Sequence, residues 1–143
     1  MKTIYNYTTI FILLLISHLA FANIDGKSGE DEVREVKANY KVSMGDQLTL
    51  SNKYGEIDIN TWDKNEVSVV IKITAWGRSS ATAKENLNRV EIKHEKRGKD
   101  ITFLTEIEDR KHSSRGNKSG FEINYEVKMP KNLHLNLTNK FGD

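Results

Sequence analysis

Beyond residue 32 most of the chain alternates apolar and polar side chains with a period of two. Val36, Ala38, Tyr40 and Val42 are interleaved with Glu35, Lys37, Asn39 and Lys41, the pattern of a strand with one buried face. After a turn at residues 44–47, Leu48 and Leu50 alternate with Thr49 and Ser51, and after a break at 52–55 Ile57 and Ile59 flank Asp58. The chain turns again over 60–65. The strongest predicted strand covers 67–75, with Val67, Val69, Ile71, Ile73 and Ala75 on one face; Val70 breaks the alternation, which predicts some cover on the other face. Ile101, Phe103, Thr105 and Ile107 return from a glycine-bearing hairpin turn at 96–100. Phe121, Ile123, Tyr125, Val127 and Met129 alternate up to the one proline, Pro130, and Leu133, Leu135 and Leu137 carry the pattern towards Asp143.

One segment changes period. Ala83, Leu87 and Val90 are spaced by four and three behind Ser79 or Ser80 as an N-cap, which predicts a helix over 80–89. The pattern returns to two at Val90, Ile92 and His94. The predicted fold is therefore mainly β: an antiparallel sheet or sandwich of about eight strands, with one short helix packed on a face.

The first residues follow a different logic. Met1-Lys2 precedes an apolar run over 10–16, and Leu19-Ala20-Phe21-Ala22 closes it with a small-x-small site. These are the parts of a secretory signal peptide, predicted to span 1–22 and to be cleaved before Asn23. Ser17 and His18 interrupt the run, which falls short of the ~20 apolar residues of a membrane anchor. Residues 23–32 are polar and glycine-bearing and predict a flexible leader. Residues 33–143 then form one β-rich domain, long enough for a core without staples. The chain has no cysteine, which excludes disulfides, thiolate metal sites, a thiol nucleophile and a cysteine-borne lipid. The expected product is exported, to the periplasm, cell surface or medium, with no membrane span after signal cleavage. Its 22 basic and 20 acidic residues are interleaved, so there is no concentrated basic face and nucleic acid is not an expected partner.

Two segments repeat. Leu48-Thr49-Leu50-Ser51-Asn52-Lys53-Tyr54-Gly55-Glu56 aligns with Leu135-Asn136-Leu137-Thr138-Asn139-Lys140-Phe141-Gly142-Asp143, and every difference is chemically mild. Self-similarity of this kind is a mark of stacked β architectures. In each copy the leucines point one way, the Ser/Thr-Asn pair can turn the chain, the aromatic covers the bend, and the glycine permits a close backbone approach. Asn52, Tyr54, Gly55, Asn139, Phe141 and Gly142 are thus the predicted structural residues of the repeat.

Together with the signal peptide, the block from Leu48 to Ile59, Thr61-Trp62-Asp63-Lys64-Asn65-Glu66-Val67, the helix after Trp76-Gly77, and Tyr125-x-Val-x-Met-Pro130, the repeat resembles the N-terminal part of the bacterial "putative adhesin" family. That family is a domain of unknown function in envelope and secreted proteins, and the resemblance covers most of residues 33–143. It implies that the Asn-x-aromatic-Gly-Asp element leads into the start of a β-solenoid. This chain ends at Asp143, where that run would begin, so a truncation or fragment is expected. The second copy would then leave an incompletely covered apolar edge, frayed or self-associating.

The search for chemistry is mostly negative. The four histidines are scattered without ligand spacing, and no nucleophile elbow or phosphate loop appears. His94, on an apolar strand face, reads as a core histidine. Acidic groups such as Asp58 with Asp63, or Glu106 with Glu108 and Asp109, could in principle pair for acid/base work, although carboxylates on strand exteriors are usually only solvated. No enzyme activity, cofactor or metal is expected. Residues 108–120 form a long loop without large apolar side chains, and its Arg110, Lys111, Arg115 and Lys118 are candidate contacts for anionic glycans, lipopolysaccharide or a membrane surface, beside the plainer reading of a hydrated hairpin tip. Trp62 and Trp76 at turns are candidate sugar-stacking faces or corner seals. The expected function is a non-enzymatic envelope or cell-surface protein of the putative-adhesin type, with a cell-envelope glycan or another surface protein as partner. The alternative is a periplasmic binding or envelope-stress signalling module.

Overall fold

The alternating segments become strands. The computed structural model describes residues 31–109 and 119–142; the signal peptide, nearly all of the leader and the basic side chains of the long loop lie outside them. The elements are β1 (Glu32–Lys41), β2 (Gln47–Lys53), β3 (Ile57–Trp62), β4 (Glu66–Trp76), α1 (Ser80–Asn88), β5 (Val90–Arg97), β6 (Asp100–Ile107), β7 (Gly120–Pro130) and β8 (His134–Lys140). They form two four-stranded sheets, ordered β1-β4-β7-β3 and β5-β6-β2-β8. The sheets share one core. Val67, Val69, Ile71, Ile73 and Ala75 of β4 and Ile123, Tyr125, Val127 and Met129 of β7 join Leu48 and Leu50 of β2 and Ile101 and Phe103 of β6 in it. The residues between them along each strand are half-buried or exposed, as a two-sheet sandwich with one dry face per sheet requires. Val70 is half-buried, in keeping with the broken alternation.

The eight-strand, one-helix β sandwich is present, but its pairing corrects the antiparallel expectation. The β1–β4, β4–β7 and β5–β6 ladders are antiparallel. The β2–β6, β2–β8 and β3–β7 ladders are parallel. Alternation fixes which face of a strand is buried and says nothing about strand direction. Direction follows from the path: β2 to β3 and β6 to β7 both cross from one sheet to the other in the same sense, so the successive crossings lie parallel.

The helix is anchored at the end of the β1–β4 pair, where a sheet face had been expected. Ser79 caps it, its hydroxyl accepting from the Thr82 amide at 3.3 Å. Ser80 donates to Glu32, at the start of β1, and the buried Asn86 amide donates to the carbonyl of Trp76, at the end of β4. Ala83 and Leu87 are its buried apolar side chains.

The two long edges of the sandwich differ. Along one, β1 and β5 are laced together across the seam. Arg34 donates to the Val90 carbonyl, the Tyr40 hydroxyl meets His94 Nδ1 at 2.8 Å, and Lys96 bridges the Lys41 carbonyl and the Asp46 carboxylate at 2.7 and 2.8 Å. Inward-facing charges and cross-sheet bonds of this kind block strand addition. His94 is therefore an exposed seam residue stacked on Phe103, at 5.4 Å and 18°, and not a core histidine. The opposite edge, β8 with β3, lacks such lacing among the described residues. Leu135 and Leu137 lie in register with the buried Leu48 and Leu50, yet remain 37% and 49% exposed. Among the described residues no helix is long and apolar enough to cross a membrane.

Candidate functional site

The two repeat copies lie side by side. β8 pairs with β2 residue for residue from Gln47↔His134 to Lys53↔Lys140, which sets Leu48 beside Leu135, Leu50 beside Leu137 and Asn52 beside Asn139. The chain then bends at the same place in both copies, where Tyr54 and Phe141 each take φ 61°. A left-handed aromatic residue is unusual, and here the bend is held from both sides. The Tyr54 amide donates to Lys140 at 2.9 Å and the Tyr54 carbonyl accepts from the Ile123 amide at 2.8 Å.

The glycine in each copy answers a steric demand. A Cβ on Gly55 would stand 2.1 Å from the Ile123 carbonyl oxygen, and one on Gly142 would stand 1.8 Å from the Gly55 carbonyl oxygen. The asparagines bind those same carbonyls: Asn52 Nδ2 donates to Ile123 and Asn139 Nδ2 donates to Gly55, both at 2.8 Å. Each layer of the corner thus binds the layer before it by one amide and one close backbone contact.

The first layer is completed by different chemistry. Thr105 follows the last paired residue of β6, next to Asn52, and its hydroxyl donates to Asn52 Oδ1 at 3.1 Å. With that proton committed, the Tyr125 hydroxyl 2.7 Å away is the donor to Thr105. A chain of buried bonds therefore runs from Tyr125 through Thr105 and Asn52 to the Ile123 carbonyl. Burial pushes the Tyr125 phenol up to about 12, against the lowering effect of the Thr105 bond.

Outside this ladder the corner gathers aromatic rings. Tyr54 and Phe141 stack at 5.0 Å and 14°, and Phe121 meets Tyr54 edge-on at 5.7 Å. Trp76 adjoins them through Gly120, where an added Cβ would lie 3.0 Å from the indole. Tyr54, Phe121, Phe141 and Trp76, together with Glu56 and Glu122, line an open cleft of about 440 Å³.

The structure separates the two tryptophans of the sequence reading. Trp76 belongs to this corner, whereas Trp62 ends β3 and seals the turn into β4. Its indole donates to the Glu66 carbonyl at 2.7 Å, and Lys64 lies 4.7 Å over its ring. Arg110, Lys111, Arg115 and Lys118 fall outside the described residues. Sequence reasoning missed Thr105, Phe121, Glu56 and Glu122. The signal for Glu56 was its place next to Gly55; for the others only pairing reveals it. Of the acid/base candidates, Asp58 accepts a bond from Asn60 at 3.1 Å and Glu106 is paired with Lys93 at 2.6 Å. Lys96 and the Ser43 amide hold the Asp46 carboxyl below the usual carboxylate range. Among the described residues no three histidine or acidic side chains gather as metal ligands.

No family model and no curated protein matches this sequence. Two solved structures match part of the chain, each at a TM-score below 0.5. A "putative cell adhesion protein" from Clostridium sporogenes matches with a TM-score of 0.42 and 11% identity, over 73% of this chain and 45% of that one. A "putative adhesin" from Parabacteroides distasonis matches with a TM-score of 0.32 and 9% identity, over 71% of this chain and 33% of that one. The chain spans less than half the length of either protein.

Proposed function

We propose that this is an exported, non-enzymatic protein of the cell envelope or surface, and that it forms the capped first layers of a β-solenoid. The observation that carries the reading is the residue-for-residue parallel pairing of the two repeat copies, with asparagine, aromatic and glycine each falling on their counterpart. A stack of like layers needs an atypical, sealed end and a repetitive open one. The laced β1–β5 seam suits the first role and the β8–β3 edge suits the second. The signal-like residues 1–22 support export.

The stacking reading is tested by appending one further layer after Asp143, which already stands at the place of Glu56: a second copy of residues 57–62 followed by one of 47–55. Nearest-neighbour stacking predicts a monomer with more strand signal in far-UV circular dichroism and a higher urea midpoint than the parent. An extension that adds neither would refute it. Export is tested separately by fractionating cells that express the tagged chain: retention of the uncleaved precursor in the cytoplasm would count against it.

A further inference from the structure

Seven large hydrophobic side chains are exposed among the described residues, and three of them, Tyr54 at 41%, Trp76 at 37% and Phe141 at 74%, line one cleft with Phe121. Stacking on Phe141 and edge contact with Phe121 fix the Tyr54 ring, so the apolar wall is preformed and needs little ordering on binding. The charged side chains on the same cleft are of one sign. Glu56 and Glu122 both line it, and neither is engaged in any ion pair of the described residues. The Glu56 backbone is pinned, its amide donating to Asn124 Oδ1 at 2.9 Å and its carbonyl accepting from Tyr125 at 2.9 Å, which holds its carboxylate at the rim. The aromatic cluster already takes one cation: the Arg89 guanidinium lies 5.5 Å over the Phe121 ring.

We propose that this corner is a binding site for an organic cation of the quaternary-ammonium type. Ring faces attract such a cation through their quadrupoles, and its methyl groups match an apolar wall. Two carboxylates without a counter-ion among the described residues supply the complementary charge. A neutral sugar would find stacking faces and the Tyr54 hydroxyl and Trp76 indole as partners here, but it would leave the charge of both carboxylates unmatched.

The test titrates choline into the chain carrying Trp62→Phe, so that Trp76 is the one remaining tryptophan. The expected result is a saturable change in Trp76 fluorescence. Binding should weaken roughly tenfold or more when Glu56→Gln and Glu122→Gln are combined, and by as much when choline is replaced by its neutral tert-butyl analogue. Both glutamates are exposed, so the variant should keep the parent circular dichroism and urea midpoint, which are measured alongside. If Trp62→Phe unfolds the chain, the same titration follows the choline methyl resonance with the unmodified protein. The proposal is overturned by absence of saturation, by equal binding of the neutral analogue, by an unweakened glutamine variant that is folded, or by N-acetylglucosamine binding as well as choline.

Discussion

Replacing Asn52 with alanine tests the central claim about the corner, that one buried amide joins its layers. Asn52 is fully buried, donates to the Ile123 carbonyl at 2.8 Å and accepts from Thr105 at 3.1 Å. Asn52→Ala deletes both bonds and leaves a small void in a place closed to water. Two hydrogen bonds at about 1 kcal/mol each, plus the cost of stranding buried polar partners, give a loss of about 2–4 kcal/mol. Asn139, its counterpart on the open edge, is only half-buried and makes the equivalent bond to Gly55. Asn139→Ala should cost about 1 kcal/mol. Urea unfolding followed by far-UV circular dichroism separates the two, since at a slope of about 1–3 kcal/mol per molar the larger loss moves the midpoint by about 1–3 M. Asn52→Asp sharpens the test. It keeps the acceptor for Thr105 but turns a carboxylate oxygen onto the Ile123 carbonyl, so its stability should be lowest at neutral pH and recover as the carboxyl protonates in acid. Equal losses at positions 52 and 139, or a loss below about 1 kcal/mol at 52, would refute the reasoning.

Other expectations follow from the same geometry. Gly55→Ala drives a Cβ into the Ile123 carbonyl and should cost several kcal/mol, whereas Gly98→Ala at φ +58 meets nothing within 4 Å and should cost about 1 kcal/mol, both read from urea midpoints. Tyr125 has a raised folded pKa, so its contribution to stability is intact below the ordinary phenol pKa of about 10 and is lost as pH rises towards about 12. Tyr125→Phe should flatten that alkaline limb in a pH series of thermal melts. The open edge should drive self-association, seen as concentration-dependent sedimentation and removed by Leu137→Lys with an unfolding free energy unchanged within about 0.5 kcal/mol. Strong hydrogen-exchange protection of residues 133–137 in a verified monomer would contradict it.

Much of the fold was legible because a half-buried strand writes itself into the chain with period two. Residues 67–75 and 121–129 were readable as strands for that reason, and Ser79 with Ala83 and Leu87 marked the helix by its own period. Pairing was not legible. Nothing in Leu48-x-Leu50 says that its neighbours are β6 and β8, or that all three run the same way, because ladder partners are chosen by the path of the whole chain. The repeat was the exception: likeness between the copies carried information that no single strand holds, and the structure sets those copies side by side. At the candidate site, Tyr54, Phe141 and Trp76 were readable as turn aromatics. Their company with Phe121, Glu56 and Glu122 depends on register between β4, β7 and the β2–β3 bend. Thr105 stood in an ordinary alternating strand and gave no sign that it closes the asparagine ladder. Nothing in the alternation singles out Arg34 or Lys96, and their role at the seam exists only because β1 and β5 meet across the sandwich.

The parallel ladders also set a timetable for folding. β2 is an interior strand, yet Leu48 has as its partners Ile101 on one side and Leu135 on the other. A chain emerging from its N-terminus must hold β2 unpaired until β6 arrives, and cannot complete it until the last strand is made. Closing such distant contacts is slow, and the entropy of the intervening loop is lost before any pairing offsets it. The β5–β6 hairpin, by contrast, closes through a two-residue turn at Gly98 and Lys99 and can form at once. The asparagine ladder therefore works as a late lock: its amides find their carbonyls only after the hairpin, β7 and β8 are in place. Until then β2 and the corner it carries stay unclosed, although the β5–β6 hairpin and the β1–β4 pair can already have formed.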